Sequence, residues 1–101
     1  MWTLRSDGTG DMPALTFRVT PGAARTLGRA AQADFVVDAT LVSRLHCRFS
    51  AGAAGELEVE DLGSTNGTWV NGQRVERAPL APGDRVRVGE LVLLVEGAVR
   101  P

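Results

Sequence analysis

Lysine, isoleucine and tyrosine are absent from this sequence, and cysteine and histidine occur once each. The lone Cys47 excludes an internal disulfide and suits a reducing compartment. All eleven basic residues are arginine, as expected from the codon usage of a GC-rich bacterial genome, so arginine abundance alone carries no functional signal. The formal net charge of −1 leaves no global field to recruit nucleic acid or acidic membranes. A charged-then-apolar leader is missing, and no apolar run approaches the ~20 residues that span a bilayer. A soluble, cytoplasmic protein is expected, with no nucleic acid partner and no membrane insertion. Helical periodicity is scarce as well.

What remains is alternation with period two, the pattern of half-buried strands. Leu15, Phe17 and Val19 alternate with Thr16 and Arg18. Leu57 and Val59 alternate with Glu56, Glu58 and Glu60, and Asp61 continues the apolar phase. Val86 and Val88 alternate with Arg85 and Arg87. Leu91 to Val95 is a continuous apolar run, which predicts a strand covered on both faces. Shorter strands are expected at Trp2–Arg5, Ala24–Leu27, Phe35–Val37 and Cys47–Ser50. Thr68–Val70 and Gln73–Val75 flank Asn71-Gly72, a type I′ hairpin signal. Turn signals such as Pro21-Gly22, Asn66-Gly67 and Pro82-Gly83-Asp84 separate nearly every pair.

The expectation is all-β: a two-sheet β-sandwich of about eleven mostly antiparallel strands. A chain of 101 residues makes one module with a single modest core, free-standing or part of a longer protein. The domain is expected to span 1–97, with a frayed tail at 98–101.

Polar variety is concentrated in a few loops. Both asparagines, Asn66 and Asn71, stand before glycines within Asp61–Gly72. The longest segment without a strand pattern, Asp38–Leu45, is the foremost functional loop by length. It leads into Ser43-Arg44-Leu45-His46, which holds the only histidine. Ser43 and His46 raise the thought of a nucleophile and its base, but no orienting carboxylate or oxyanion hole is laid out for them. Cys47 reads as a small core residue, Trp69 as core or half-buried, and the Glu56-Glu58-Glu60 face as solvated and away from any anion site.

Several of these pieces, in order, resemble the forkhead-associated (FHA) domain. They are Leu27-Gly28-Arg29, Asp34-Phe35-Val36-Val37, Val42–Cys47, Asp61–Gly72, and Leu80 with Pro82-Gly83-Asp84. The likeness covers nearly the whole chain. It implies an eleven-stranded sandwich that binds phosphothreonine peptides on loops at one end. Carried over residue by residue, it implies that Arg29, Ser43, Arg44 and Thr65 contact the phosphate and that Asn66 pairs with the peptide backbone. Gly28, His46, Gly67, Asn71 and Gly72 become structural supports, His46 as a tie between loops and Asn71 as the hairpin turn. A guanidinium fork suits a group carrying about −1.5 to −2 charges.

The resulting expectation is a non-catalytic, monomeric phosphothreonine reader serving a Ser/Thr kinase or its substrate, with no catalytic residue, cofactor or metal. The alternative is a phosphate-independent interaction or assembly domain on the same fold. Leu41, Arg44 and the Gly89-Glu90 turn are candidates for reading residues beyond the phosphothreonine. Thr3, Thr9 and Thr16 are possible phosphorylation sites for self-recognition, though no kinase-site pattern marks them.

Overall fold

Alternating apolar residues need a partner surface, and this chain supplies it by pairing two sheets face to face. The computed structural model describes residues 1–8 and 13–97. Eleven strands follow in order: β1 (Trp2–Ser6), β2 (Leu15–Val19), β3 (Ala24–Gly28), β4 (Phe35–Val36), β5 (Cys47–Ala51), β6 (Leu57–Asp61), β7 (Thr68–Val70), β8 (Gln73–Val75), β9 (Arg77–Leu80), β10 (Arg85–Val88) and β11 (Leu91–Glu96). One sheet has six strands in the order β2-β1-β11-β10-β7-β8, the other five in the order β4-β3-β5-β6-β9. Every pairing is antiparallel except β3 with β4. Among the described residues no helix is long and apolar enough to cross a membrane. Thr9 and the expected frayed tail, 98–101, lie outside the described residues.

The inward phase of each strand builds the core. Phe49, Leu4, Leu27, Leu57 and Leu93 are its largest fully buried side chains. Cys47 is buried with them. Phe17 of β2 stacks on Phe35 of β4 with ring centroids 4.5 Å apart, which closes the edge where the two sheets meet.

Two expectations are corrected. Leu91–Val95 is not covered on both faces. Val92 is 42% exposed, because β11 is central in its sheet but among the described residues no element packs on the sheet's outer side. The Glu58 and Glu60 carboxylates are not merely solvated, for Arg48 of β5 and Arg77 of β9 form ion pairs with them across the strands. Strand β9 had no period-two signal and contains Pro79. It is an edge strand, where a missing N–H is tolerated.

Asn71 and Gly72 have φ of 50° and 85°, as a type I′ turn requires. The Asn71 side chain then ties this hairpin to the next. Its Nδ2 donates to Asp84 Oδ1 at 3.0 Å, and its Oδ1 accepts the Arg85 N–H at 3.0 Å. Asn71→Ala loses two hydrogen bonds of about 0.5–1.5 kcal/mol each and replaces a residue that tolerates left-handed φ by one that does so less readily. The expected outcome is a thermal midpoint lower by about 4–24 °C, with Asn71→Gly keeping the backbone conformation without the side-chain bonds. An unchanged melting curve for Asn71→Ala would show that the turn holds without its side chain.

Candidate functional site

Strand order brings the polar loops together. Leu27 at the end of β3 pairs with Cys47 at the start of β5, and Cys47 pairs with Asp61 at the end of β6. The excursion 29–46 therefore leaves and returns at the end of the sandwich where the 62–67 loop begins.

Within the excursion, backbone bonds zip two segments side by side. Arg29 N–H donates to Ser43 O and Ala30 N–H to Arg44 O, both at 3.0 Å. A Cβ on Gly28 would stand 2.0 Å from the Arg44 carbonyl oxygen. Only glycine permits this approach, and it sets Arg29 beside Ser43-Arg44. Arg29 spends its Nε on Val42 O at 3.2 Å, which anchors the guanidinium and leaves its two terminal nitrogens for a ligand. Both arginines are exposed. With Ala30 they line an open cleft of about 240 Å³.

A side chain joins this half of the site to the other. Ser43 Oγ accepts the Thr65 N–H at 3.1 Å. The hydroxyl oxygen is occupied, so its own hydrogen is left to donate outward. Asn66 Nδ2 donates to Leu41 O at 3.0 Å. That bond commits one amide hydrogen and leaves Oδ1 and the second hydrogen for a peptide. Trp69 Nε1 donates to Asn66 O at 3.1 Å and so holds the asparagine's own backbone.

His46 lies beneath, fully buried. The Ser43 N–H donates to its Nδ1 at 3.0 Å. That assigns the hydrogen to Nε2, which donates to Gly67 O at 2.8 Å. The Ser43 hydroxyl bonds Thr65, and His46 bonds only the serine's backbone. No nucleophile–base pair is formed; the His46 ring links the Ser43 backbone to the Gly67 carbonyl.

The 62–67 loop turns around one carboxylate. Asp61 Oδ2 accepts the N–H groups of Gly63 and Ser64, each at 3.0 Å. Asp61 Oδ1 accepts the hydroxyls of Ser64 and Thr68. Ser64 Oγ in turn accepts the Gly67 N–H at 2.9 Å. Partial burial acts to raise the Asp61 carboxyl, but the hydrogen bonds from Ser64, Thr68 and Gly63 together outweigh it, and its pKa falls below the ordinary value. The Cys47 thiol moves the opposite way: burial, helped by the nearby Asp61 charge, pushes it far up. It is a core thiol and not a nucleophile.

All five residues assigned to ligand contact therefore sit on the three segments that these bonds join. Of the specificity candidates, Leu41 packs against Gly89, where a Cβ would lie 3.1 Å from it, while Arg44 belongs to the Arg29 cleft. Two supports went unassigned in the sequence, Asp61 and Ser64. A signal existed: an aspartate two and three residues ahead of Gly63-Ser64 is the pattern of a side chain capping a turn. Among the described residues there is no group of three or more His, Cys, Asp or Glu that could hold a metal ion.

The family model of the FHA domain matches residues 25–89. The glycogen accumulation regulator GarA of Mycolicibacterium smegmatis is 43% identical over 67 residues, which are 66% of this chain and 42% of that protein. The chain thus spans about two fifths of the length of this relative. Among solved structures, the FhaA FHA domain complexed with the intracellular domain of Rv3910 is 33% identical with a TM-score of 0.83, covering 95% of this chain and 100% of that one. An FHA domain solved in work on phosphothreonine-dependent interactions is 32% identical with a TM-score of 0.79, covering 99% of this chain and 97% of the other.

The Asp61 network has a definite pH signature. Its folded pKa is depressed, so its contribution to stability is full above the unfolded carboxyl value of about 3.9 and is lost as pH falls through the lower folded value. The amides of Gly63, Ser64 and Gly67 are expected to shift together in an NMR titration below about pH 3.9. Asp61→Asn should cost about 1.5–3 kcal/mol at neutral pH and flatten this acid limb. An acid limb identical in the variant would assign it to other carboxylates.

Proposed function

The chain belongs to the forkhead-associated domain family, and on that footing we propose that it is a non-catalytic module that reads phosphothreonine in a partner protein. The observation that carries the reading is the seam between the two loops. Ser43 Oγ is held by the Thr65 N–H beside the anchored guanidinium of Arg29, so a hydroxyl donor and a cationic fork are ready before any ligand arrives. In this reading the phosphate lies against Arg29, Ser43, Arg44 and Thr65. Asn66 Oδ1 accepts an N–H of the peptide backbone, while its Nδ2 keeps the bond to Leu41 or exchanges it.

Supporting this, the solved relatives include an FHA domain studied for phosphothreonine-dependent interactions, and another was solved in complex with the intracellular domain of Rv3910. We take the partner to be a Ser/Thr kinase or one of its substrates, the compartment to be the cytoplasm where ATP-dependent phosphorylation occurs, and residues 1–97 to be the extent of a monomeric reader. Phosphate-independent docking on the same fold is the competing reading. The joint presence of Arg29, Ser43 and Asn66 in one prepared site favours the phosphate reading, for a domain without a phosphate to bind need not keep all three.

Calorimetric titration with a degenerate phosphothreonine library, beside phosphoserine and unmodified threonine libraries, tests the reading. Saturable binding to the phosphothreonine set is expected, with phosphoserine weaker by about 10-fold for the missing methyl. Equal binding of the unmodified library would sink it.

Arg29→Ala should weaken phosphopeptide binding by roughly 10–100-fold while the protein stays folded. Asn66→Ala should weaken it as well. A folded Arg29→Ala protein with full affinity would remove Arg29 from the site.

A further inference from the structure

Period-two alternation also decides what faces outward, and the two outer faces differ in charge. On the five-stranded sheet, Arg48 and Arg77 are matched by Glu58 and Glu60 in ion pairs. On the six-stranded sheet the outward phase carries Arg5, Arg18, Arg74, Arg85 and Arg87. Among the described residues the only carboxylate within those strands on that face is Glu96, and Arg5 pairs with it and with Asp7 in the loop that follows β1. Among the described residues, Arg18, Arg85 and Arg87 have no ion-pair partner within 4.0 Å. A chain of net charge −1 thus gathers nearly half of its arginines on one surface.

That surface is not only charged. Val92 is exposed at its centre, and with Leu94 it floors a cleft of about 200 Å³ lined by Arg5 and Arg85 and, at its ends, by Asp7 and Glu90. The cleft's upper end reaches Glu90, next to Gly89, which packs on Leu41. Leu41 is also the residue whose carbonyl receives Asn66. The candidate peptide site and the cleft are therefore joined across the Leu41–Gly89 contact.

We propose that the outer face of the six-stranded sheet is a second docking surface, for an acidic and partly aliphatic stretch of the same polypeptide that carries the phosphothreonine. This rests on the phosphothreonine reading. A carboxylate of the stretch lies against Arg85, which has no ion-pair partner among the described residues, and an aliphatic side chain covers Val92. Arg85 stands four residues along the strand from Gly89, or about 13 Å at ~3.3 Å per residue, so a stretch of roughly six to eight residues beyond the phosphothreonine reaches it.

A polypeptide fits this face better than a nucleic acid strand does. Stacked bases need an open aromatic platform. Trp69, the one aromatic side chain there, is covered by Arg87 at 4.7 Å from its ring centroid and has spent its N–H on Asn66.

The test compares a short phosphothreonine peptide with alanine flanks against the same peptide extended, at either end, by eight residues alternating Glu and Leu. Binding is read by calorimetry at low and high ionic strength. The extension at one end should tighten binding by about 5–20-fold at low ionic strength and by much less at high ionic strength. Arg85→Glu and, separately, Val92→Glu should remove the gain while leaving the short peptide within about two-fold.

No gain from either extension would overturn the proposal and leave the phosphothreonine reading standing. So would a gain that survives both variants. Failure of short and long phosphopeptides alike would instead defeat the phosphothreonine reading, and this proposal with it. Loss of the gain on adding a single-stranded oligothymidine, with the short peptide unaffected, would give the face to nucleic acid and overturn it too.

Discussion

Asp61 accepts four hydrogen bonds at its two oxygens, and the chain they start runs through Ser64, Gly67, His46 and Ser43 to Thr65. The links at His46 and Gly67 satisfy polar groups that would be costly to leave unpaired in their buried setting, and each link fixes the position of the next. Ser43 is held from two sides, by the ring of His46 on its backbone and by Thr65 on its hydroxyl. The loops therefore meet the solvent already in register. A ligand that docks on them does not have to supply the entropy of closing them, which is the main cost that preorganisation removes.

Charge and precision are divided among different residues at this end of the sandwich. Arg29 and Arg44 supply positive charge from exposed positions, where long side chains are otherwise mobile, and Arg29 alone is anchored, through Val42. Ser43 and Asn66 carry no charge but are fixed in place by short bonds. The histidine, which chemistry at first suggests as the active group, is the most deeply buried of the set, and both of its nitrogens are spent on backbone. An arrangement of this kind orients and holds; it offers no group positioned to move a proton.

Much of the architecture was legible because strands with one face in a core must alternate. Leu57, Val59, Val86 and Val88 gave away their strands in that way. Strand β9 escaped, since Arg-Ala-Pro-Leu offers too few residues and a proline, and an edge position is recognisable only once the sheet exists. The outward exposure of Val92 was equally hidden, for an apolar run cannot say whether a second layer will cover it. Arg29, Ser43 and Asn66 became legible as a group only through the order of the motifs around them. Asp61 and Ser64 hold the loop by closing a ring in space, and a role of that kind leaves only a local trace, the aspartate ahead of a turn.

The two asparagines share one further liability, since asparagine before glycine is prone to lose its amide as the chain ages. The reaction needs the glycine's backbone nitrogen as a nucleophile on the side-chain carbonyl. At Asn66 that nitrogen belongs to Gly67 and is held by Ser64 Oγ at 2.9 Å. At Asn71 the Gly72 nitrogen has no such partner among the described residues. A stored sample would accordingly show aspartate at position 71 before position 66. The new carboxylate would face Asp84, now 3.0 Å from the amide it replaces. The hairpin would loosen with age, while the loop that carries recognition would keep its chemistry longest.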